Sequence, residues 1–374
     1  MARVIIAGAG FGGTSTAVAL RDRIGPAHEI ILVDRRETFV MGLRKTWAIV
    51  GESPLLHGTR RLDAIAGVVT RRGTIESIET DARAIVVDGQ RLEADALVLA
   101  LGADHAPDSI PGLAEHGIDA WDPDEADRAH AALADVEAGG RLLIGVFGTP
   151  YPCPPGPYEL ALLAKERHPD AEVAVFAPMP ITLPIAGPAE CSKLDAELAE
   201  AGVEFLPGRQ ASEVIPGSVR FADGSERGFD LLLAVPPHRA PSVLVDAGLA
   251  SPGGWVKVDP RTLETAAADV YAIGDATAIM LANGMPLPKA GLLAELEGAV
   301  VAARIADRLA GVEPTATFDG EAFCFIETGG GRAMMVGGRF LDDPPDVQVT
   351  PPSAELRERK LAFERERLTR WFGA

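Results

Sequence analysis

The apolar positions of this chain fall in short uninterrupted runs, most of them closed by glycine or proline. "RVIIAGAGFGGTSTAVALRDR", from Arg3, reads as a buried strand, a tight glycine turn and a helix. "EIILVDRRE" is a second strand, apolar throughout, as parallel strands are when helices cover both faces. Polar and apolar residues then alternate through "GTIESIETDARAIVVDGQRLEADALVLALGA", the pattern of a β-meander returning to the main sheet. The apolar runs resume in "RLLIGVFG", "EVAVFAP", "VEFLPG" and "DLLLAVPP", with helices expected around Glu159–Arg167 and Cys191–Ala201. "VYAIGDAT" is a late strand, and "KAGLLAELEGAVVAARIADRLAG" carries a strong helical period. Strands are expected around Cys324 between Phe318 and Phe340, and a charged amphipathic helix from Ser353 to Phe372.

These elements predict an α/β chain of two Rossmann-like units followed by a C-terminal region. The first unit is expected to be discontinuous, residues 1–110 with 245–312. The second spans 111–244 and carries Cys153, and the C-terminal region, 313–374, carries Cys324 and the terminal helix.

Composition narrows the function. With 374 residues, 47% apolar and 24% charged, the chain can bury more than one core. A net charge of -19 argues against nucleic acid as a partner. Three cysteines are too few for a disulfide scaffold, and no metal site is expected. No apolar run approaches the roughly 18 residues of a membrane span. The first strand begins at Arg3 with no secretory signal before it, so a cytoplasmic location is expected.

Gly8, Gly10 and Gly13 form G-x-G-x-x-G between a strand and a helix, and Asp34 closes the next strand. The glycines let a pyrophosphate approach the helix N-terminus, where unpaired N–H groups favour anions, and the aspartate can accept from ribose hydroxyls. The strand-turn around Gly102 and the "IGDA" of Gly274 and Asp275 resemble the second and third cofactor contacts of two-dinucleotide flavoproteins. Together they imply FAD at the first turn.

The second unit departs from that pattern. "GVFGTPYPCPPGPYE" has no G-x-G-x-x-G, and its prolines remove N–H donors that a phosphate would use, so reduced nicotinamide is not the expected electron source. No cysteine lies between Gly8 and Cys153, which excludes a C-x-x-x-x-C redox pair near the first helix. "CPPGPYELALL", "AVPPHRAP", "YAIGDAT" and "LPKAGLLAELEGAVVA" resemble the sulfide:quinone oxidoreductases and the flavoprotein subunit of flavocytochrome c sulfide dehydrogenase, over nearly the whole chain. The resemblance implies that Cys153 and Cys324 meet at the flavin as a redox pair that takes sulfide to polysulfide or sulfur. It implies Glu159 as proton acceptor and Lys289 as a positive charge beside the flavin. His238 is open to either a proton-transfer or a structural role, and Cys191, outside any motif, reads as a packed thiol.

Some relatives tether FAD through a cysteine after the second strand; here that stretch is "ETFVMGLRK", with Met41 in it, so FAD is expected without that link. The upstream third cysteine of many such enzymes is also missing. The resemblance implies a membrane quinone as acceptor, and the terminal helix offers Leu361, Leu368 and Phe372 on one side, suited either to a membrane surface or to packing on the protein or a second subunit. The enzyme would then sit peripherally on the inner face of the cell membrane, possible homo-oligomers included. A cytochrome c acceptor, a type II NADH:quinone oxidoreductase and a catalytically silent flavin-binding protein are the competing readings.

Overall fold

The computed structural model describes residues 1–373. In chain order the strands that frame the site are β1 (Arg3–Ala7), β2 (Glu29–Asp34), β3 (Val69–Arg72), β4 (Ala96–Leu99), β5 (Ile118–Asp119), β6 (Arg141–Val146) and β7 (Glu172–Phe176). They continue with β8 (Val203–Leu206), β9 (Leu231–Val235), β10 (Val270–Ala272), β11 (Glu321–Gly329), β12 (Arg332–Arg339) and β13 (Asp346–Ser353). The helices are α1 (Phe11–Ile24), α2 (Arg44–Ile49), α3 (Gly156–Arg167), α4 (Gly187–Ala201), α5 (Gly291–Leu309) and α6 (Ala354–Phe372).

Two parallel sheets carry the architecture. The first runs β10-β4-β1-β2-β3 and the second β5-β9-β6-β7-β8, every neighbour parallel. Their inner strands are buried on both faces, which is why the sequence shows them as continuous apolar runs. The alternating stretch forms the expected meander of Ile75–Glu79, Ala84–Val87 and Gln90–Glu93. The third sheet is antiparallel, β11-β12-β13.

Helix starts differ from the expectation in one systematic way. α3 and α4 begin at Gly156 and Gly187, each a few residues early, with proline in the first turn. Proline fits there because the first-turn N–H has no intrahelical partner to lose. β13 is not in the sequence reading; Pro351 and Pro352 mask it, and the strand accommodates them at its end.

The terminal helix, suited by its sequence either to a membrane surface or to packing, lays most of that side on the protein itself. Ser353 caps α6, its Oγ accepting from Leu356 N at 3.1 Å. Of the three residues on that side, Leu368 and Phe372 are buried in the protein core and Leu361 is half-buried. Trp371 sets its edge against Phe11 and Phe39 at 5.5 and 5.4 Å. Among the described residues no helix is long and apolar enough to cross a membrane.

Candidate active site

The glycine turn is built as the motif requires. Gly8 has φ +101°, and a Cβ on it would lie 2.2 Å from Ala100 O; a Cβ on Gly13 would lie 1.8 Å from Gly8 O. Only glycine lets β1, β4 and the start of α1 come this close. Asp34 stands beside the turn, one carboxylate oxygen accepting from Ala9 N at 2.7 Å and the other from Arg36 N at 2.8 Å. α1 starts at Gly10 with no side-chain cap on its first turn, so its N-terminal dipole is available to an anion.

From this turn a cavity of about 340 Å³ runs between the two parallel sheets and the third sheet. Gly10, Gly102, Gly274 and Asp275 are in its wall, and so are Cys153, Glu159 and Cys324. Residues remote in sequence are thus brought to one space. These residues fit FAD: a glycine cradle that a Cβ would fill, an uncapped helix end for pyrophosphate, and a long cavity that leads from them to two thiols. Gly8, Gly10, Gly13 and Asp34 would hold the nucleotide side, and Gly102, Gly274 and Asp275 the side toward the thiols. Burial raises the Asp275 carboxyl above its ordinary value, against the charges of Lys289 and Lys45.

Cys153 sits on the loop between β6 and α3 with φ +55°, left-handed backbone that a non-glycine residue seldom adopts. The loop is pinned from several directions. Cys153 N donates to Lys289 O at 2.7 Å, Gly156 N donates to Cys153 O at 2.9 Å, and Trp121 Nε1 donates to Pro152 O at 2.7 Å. Tyr151 donates its hydroxyl to Pro154 O at 3.0 Å. The Cys153 residue is exposed, its thiol toward the cavity, yet the protein massed around it desolvates the thiolate and pushes it up to about 11; the Glu159 charge adds to this, while Lys45 and Lys360 oppose it. Cys324, half-buried on β11 opposite Val336, is raised by burial and then by the proximity of Cys153. Both cysteines are free thiols.

Glu159 lies in the wall, buried, with both oxygens occupied. Lys360 Nζ from α6 donates to each at 2.9 Å, Thr46 Oγ1 to one at 2.7 Å and Glu327 N to the other at 2.9 Å. Lys360 also pairs with Glu327 at 3.0 Å, and Trp47 Nε1 donates to that same Glu327 at 2.6 Å. Burial pulls Lys360 down, but the two glutamates outweigh it and its pKa is raised. With both of its oxygens taken, Glu159 holds Lys360 in the wall.

Two expected site residues lie elsewhere. The Lys289 side chain turns away from the cavity wall, donating to Asp275 O at 2.5 Å and Thr277 O at 2.9 Å and lying 3.5 Å from the Trp255 ring centre. Burial lowers it to about 8, and its contribution to the thiol loop is its carbonyl. His238 is also off the wall. Its ring lies tilted against that of His105, centres 4.4 Å apart, while His105 Nδ1 and Asp119 Oδ2 are 2.5 Å apart. Burial, then the neighbouring His105, takes His238 down to about 3, so it stays neutral. Cys191 is packed against Leu183, whose N–H donates to Sγ at 3.3 Å and whose carbonyl accepts from it at 3.1 Å. Met41 is fully buried in the core.

The sequence reading misses Lys45, Trp121, Lys360 and the aromatic wall of Phe323, Phe325 and Phe363. A signal existed for Lys360: it falls on the buried stripe Leu356, Lys360, Glu364, Leu368 at a spacing of four, where a lysine needs a buried partner. Lys45 in "GLRKTW" has no such pattern.

Comparison with known proteins agrees with this geometry. The family model described as pyridine nucleotide-disulphide oxidoreductase matches residues 2–290. The mitochondrial sulfide:quinone oxidoreductase of Schizosaccharomyces pombe is 25% identical over 284 residues, covering 70% of this chain and 60% of that protein. That of Mus musculus is 21% identical over 384 residues, covering 95% and 81%. This chain therefore spans less than two thirds of the fission-yeast relative. Among solved structures, the sulfide:quinone oxidoreductase of the hyperthermophilic bacterium Aquifex aeolicus superposes with a TM-score of 0.89 at 21% identity, over 100% of this chain and 92% of that one.

Proposed function

The chain belongs to the pyridine nucleotide-disulphide oxidoreductase family, an oxidoreductase whose membership implies FAD, and from that premise we propose that it oxidises sulfide at Cys153 and Cys324 and passes the electrons to a quinone. The observation that carries the reading is the arrival of both thiols, from the second sheet's loop and from β11, at one cavity that begins at the glycine turn. When bound, FAD supplies the two-electron relay between the thiols and the acceptor.

The sulfur steps balance on the two side chains. In the oxidised state Cys153 and Cys324 share a disulfide. Hydrosulfide attacks Sγ of Cys153; the S–S bond to Cys324 breaks, a persulfide forms on Cys153, and Cys324 leaves as thiolate. A second hydrosulfide attacks the outer sulfur, releases hydrodisulfide and leaves the Cys153 thiolate. The released hydrodisulfide sheds one proton, and re-forming the disulfide from the two thiolates gives up two electrons. The net change is two hydrosulfides to one hydrodisulfide, one proton and two electrons, and repetition lengthens the chain to polysulfide. The pinned Cys153 loop suits this because it fixes the attacked sulfur.

A quinone fits the other wall. Phe323, Phe325 and Phe363 stand edge to face at 5.3, 6.2 and 6.3 Å and offer apolar faces to a flat ring. Glu159 and Lys360 line the same cavity. Peripheral attachment at the inner membrane face belongs to this reading, with Leu361, Ala362 and Phe363 the apolar α6 residues left half-buried. Nicotinamide as donor is disfavoured by α3, where Gly156 N is used by Cys153 O and Tyr158 N and Glu159 N by Pro155 O.

Anaerobic titration with sulfide, followed by flavin absorbance, tests the proposal. The wild type should bleach; Cys153→Ser and Cys324→Ser should not; NADH should leave all three oxidised. Bleaching of either serine variant by sulfide, or of the wild type by NADH alone, overturns it.

A further inference from the structure

The cavity wall holds two lysines in very different states. Lys360 is neutralised by two glutamates. Lys45, on α2, donates a single hydrogen bond among the described residues, to Trp121 O at 2.7 Å, and has no carboxylate within ion-pair distance. An enclosed ammonium is costly unless an anion or several acceptors meet it. Two of its N–H bonds are left for something in the cavity.

The same Trp121 that receives Lys45 also holds the thiol loop. Its indole N–H bonds Pro152 O, next to Cys153, and its ring packs on Gly156; Lys45 Nζ lies 5.5 Å from that ring's centre. One residue therefore holds both, its carbonyl the ammonium and its indole the Cys153 turn. The whole protein carries a net charge of -19, a field that repels hydrosulfide at long range. A local cation beside the thiols is what an anionic substrate needs.

We propose that Lys45 is the anion-holding residue of the thiol centre: its ammonium favours the Cys153 thiolate and draws hydrosulfide to it. The role of hydrosulfide in this rests on the sulfide-oxidising function proposed above; the effect on the thiolate does not. The groups that face the pair are Asp119, Asp122 and Asp275 around Lys45, and Glu159, Lys360, Tyr151 and Cys324 around Cys153. Among the cations, Lys45 opposes the upward push on Cys153 more than Lys360 does. Enclosure in turn pulls the Lys45 ammonium itself down, against the charges of Cys153 and the three aspartates.

The test uses FAD-loaded protein, reduced anaerobically, with iodoacetamide labelling of Cys153 followed by mass spectrometry from pH 6 to 11. Lys45→Met should move the Cys153 profile up by about one pH unit, about tenfold slower labelling on the rising limb, whereas Lys45→Arg should track the wild type. Lys45→Gln serves if the methionine variant loses FAD. Superimposed wild-type and Lys45→Met profiles overturn the proposal, as does a change confined to the flavin's midpoint potential, which would make the cofactor the cation's partner. A shifted profile in an enzyme that sulfide does not bleach keeps Lys45 and sinks only the sulfide function. Unshifted profiles with sulfide bleaching intact do the reverse.

Discussion

Among the described residues Cys153 is one of five non-glycine residues held at positive φ, and the one of them that lines the cavity. Left-handed backbone costs a Cβ-bearing residue about 1–2 kcal/mol, and such strain persists where the surroundings over-determine it. Trp121, Lys289 and Gly156 do so here through the carbonyl and amide bonds of the loop. Removing the thiol in two ways separates strain from packing. Cys153→Gly, free of the steric penalty, should be more stable than Cys153→Ala by about 1 kcal/mol, read as a higher urea midpoint. Equal midpoints would mean that the loop relaxes and stores nothing. The sequence made this residue visible, because a thiol between prolines in a nucleotide-type turn contradicts its setting. It could not make Lys45 visible: its meaning comes from Trp121, which folding alone brings beside it.

At the scale of elements, α5 shows how a helix that reads as plainly amphipathic can carry a hidden titration. Glu297 is buried on it, with Gly274 N donating to its Oε2 at 2.6 Å just behind the wall. Burial pushes it up to about 7; the Asp275 charge adds, while the Gly274 N–H and Lys289 oppose. The sign follows from linkage. From the unfolded carboxyl's 4.5 to about 7 the native state holds a proton that the unfolded state has lost. The stability this gives is complete at the lower pH and is lost as pH rises through 7, by up to roughly 3 kcal/mol. Glu297→Gln keeps an acceptor for Gly274 N and removes the titration. Its urea midpoint should therefore fall less than that of the wild type between pH 5 and 8.5; parallel curves would refute the assignment. The helix itself was legible from its period and the parallel strands from their apolar runs, since both are written in local residue order. β13 was not, because an antiparallel partner supplied its ladder despite two prolines.

For the molecule as a whole, the decisive ambiguity was the terminal helix. Periodicity identifies an apolar side but not what covers it, so a membrane, a second subunit and the protein's own core give the same pattern. In the structure α6 is a closing element. It contributes Trp371 and Phe372 to the aromatic cluster around Phe39, Phe363 to the cavity wall, Lys360 to the Glu159–Glu327 triad, and Glu364 to an ion pair with Arg44. Removing Lys360 strands two buried carboxylates, and breaking a buried pair in this way costs about 3–5 kcal/mol. Lys360→Met should thus lower the urea midpoint markedly, and Glu327→Gln added to it should restore part of the loss. A chain ending at Pro352 loses all these contacts at once, and it should fail to accumulate as FAD-loaded protein. Were α6 instead a dispensable membrane anchor, the same truncation would yield soluble, yellow enzyme that sulfide still bleaches and that no longer sediments with lipid vesicles. Absorbance at the flavin band in the soluble fraction decides between these outcomes.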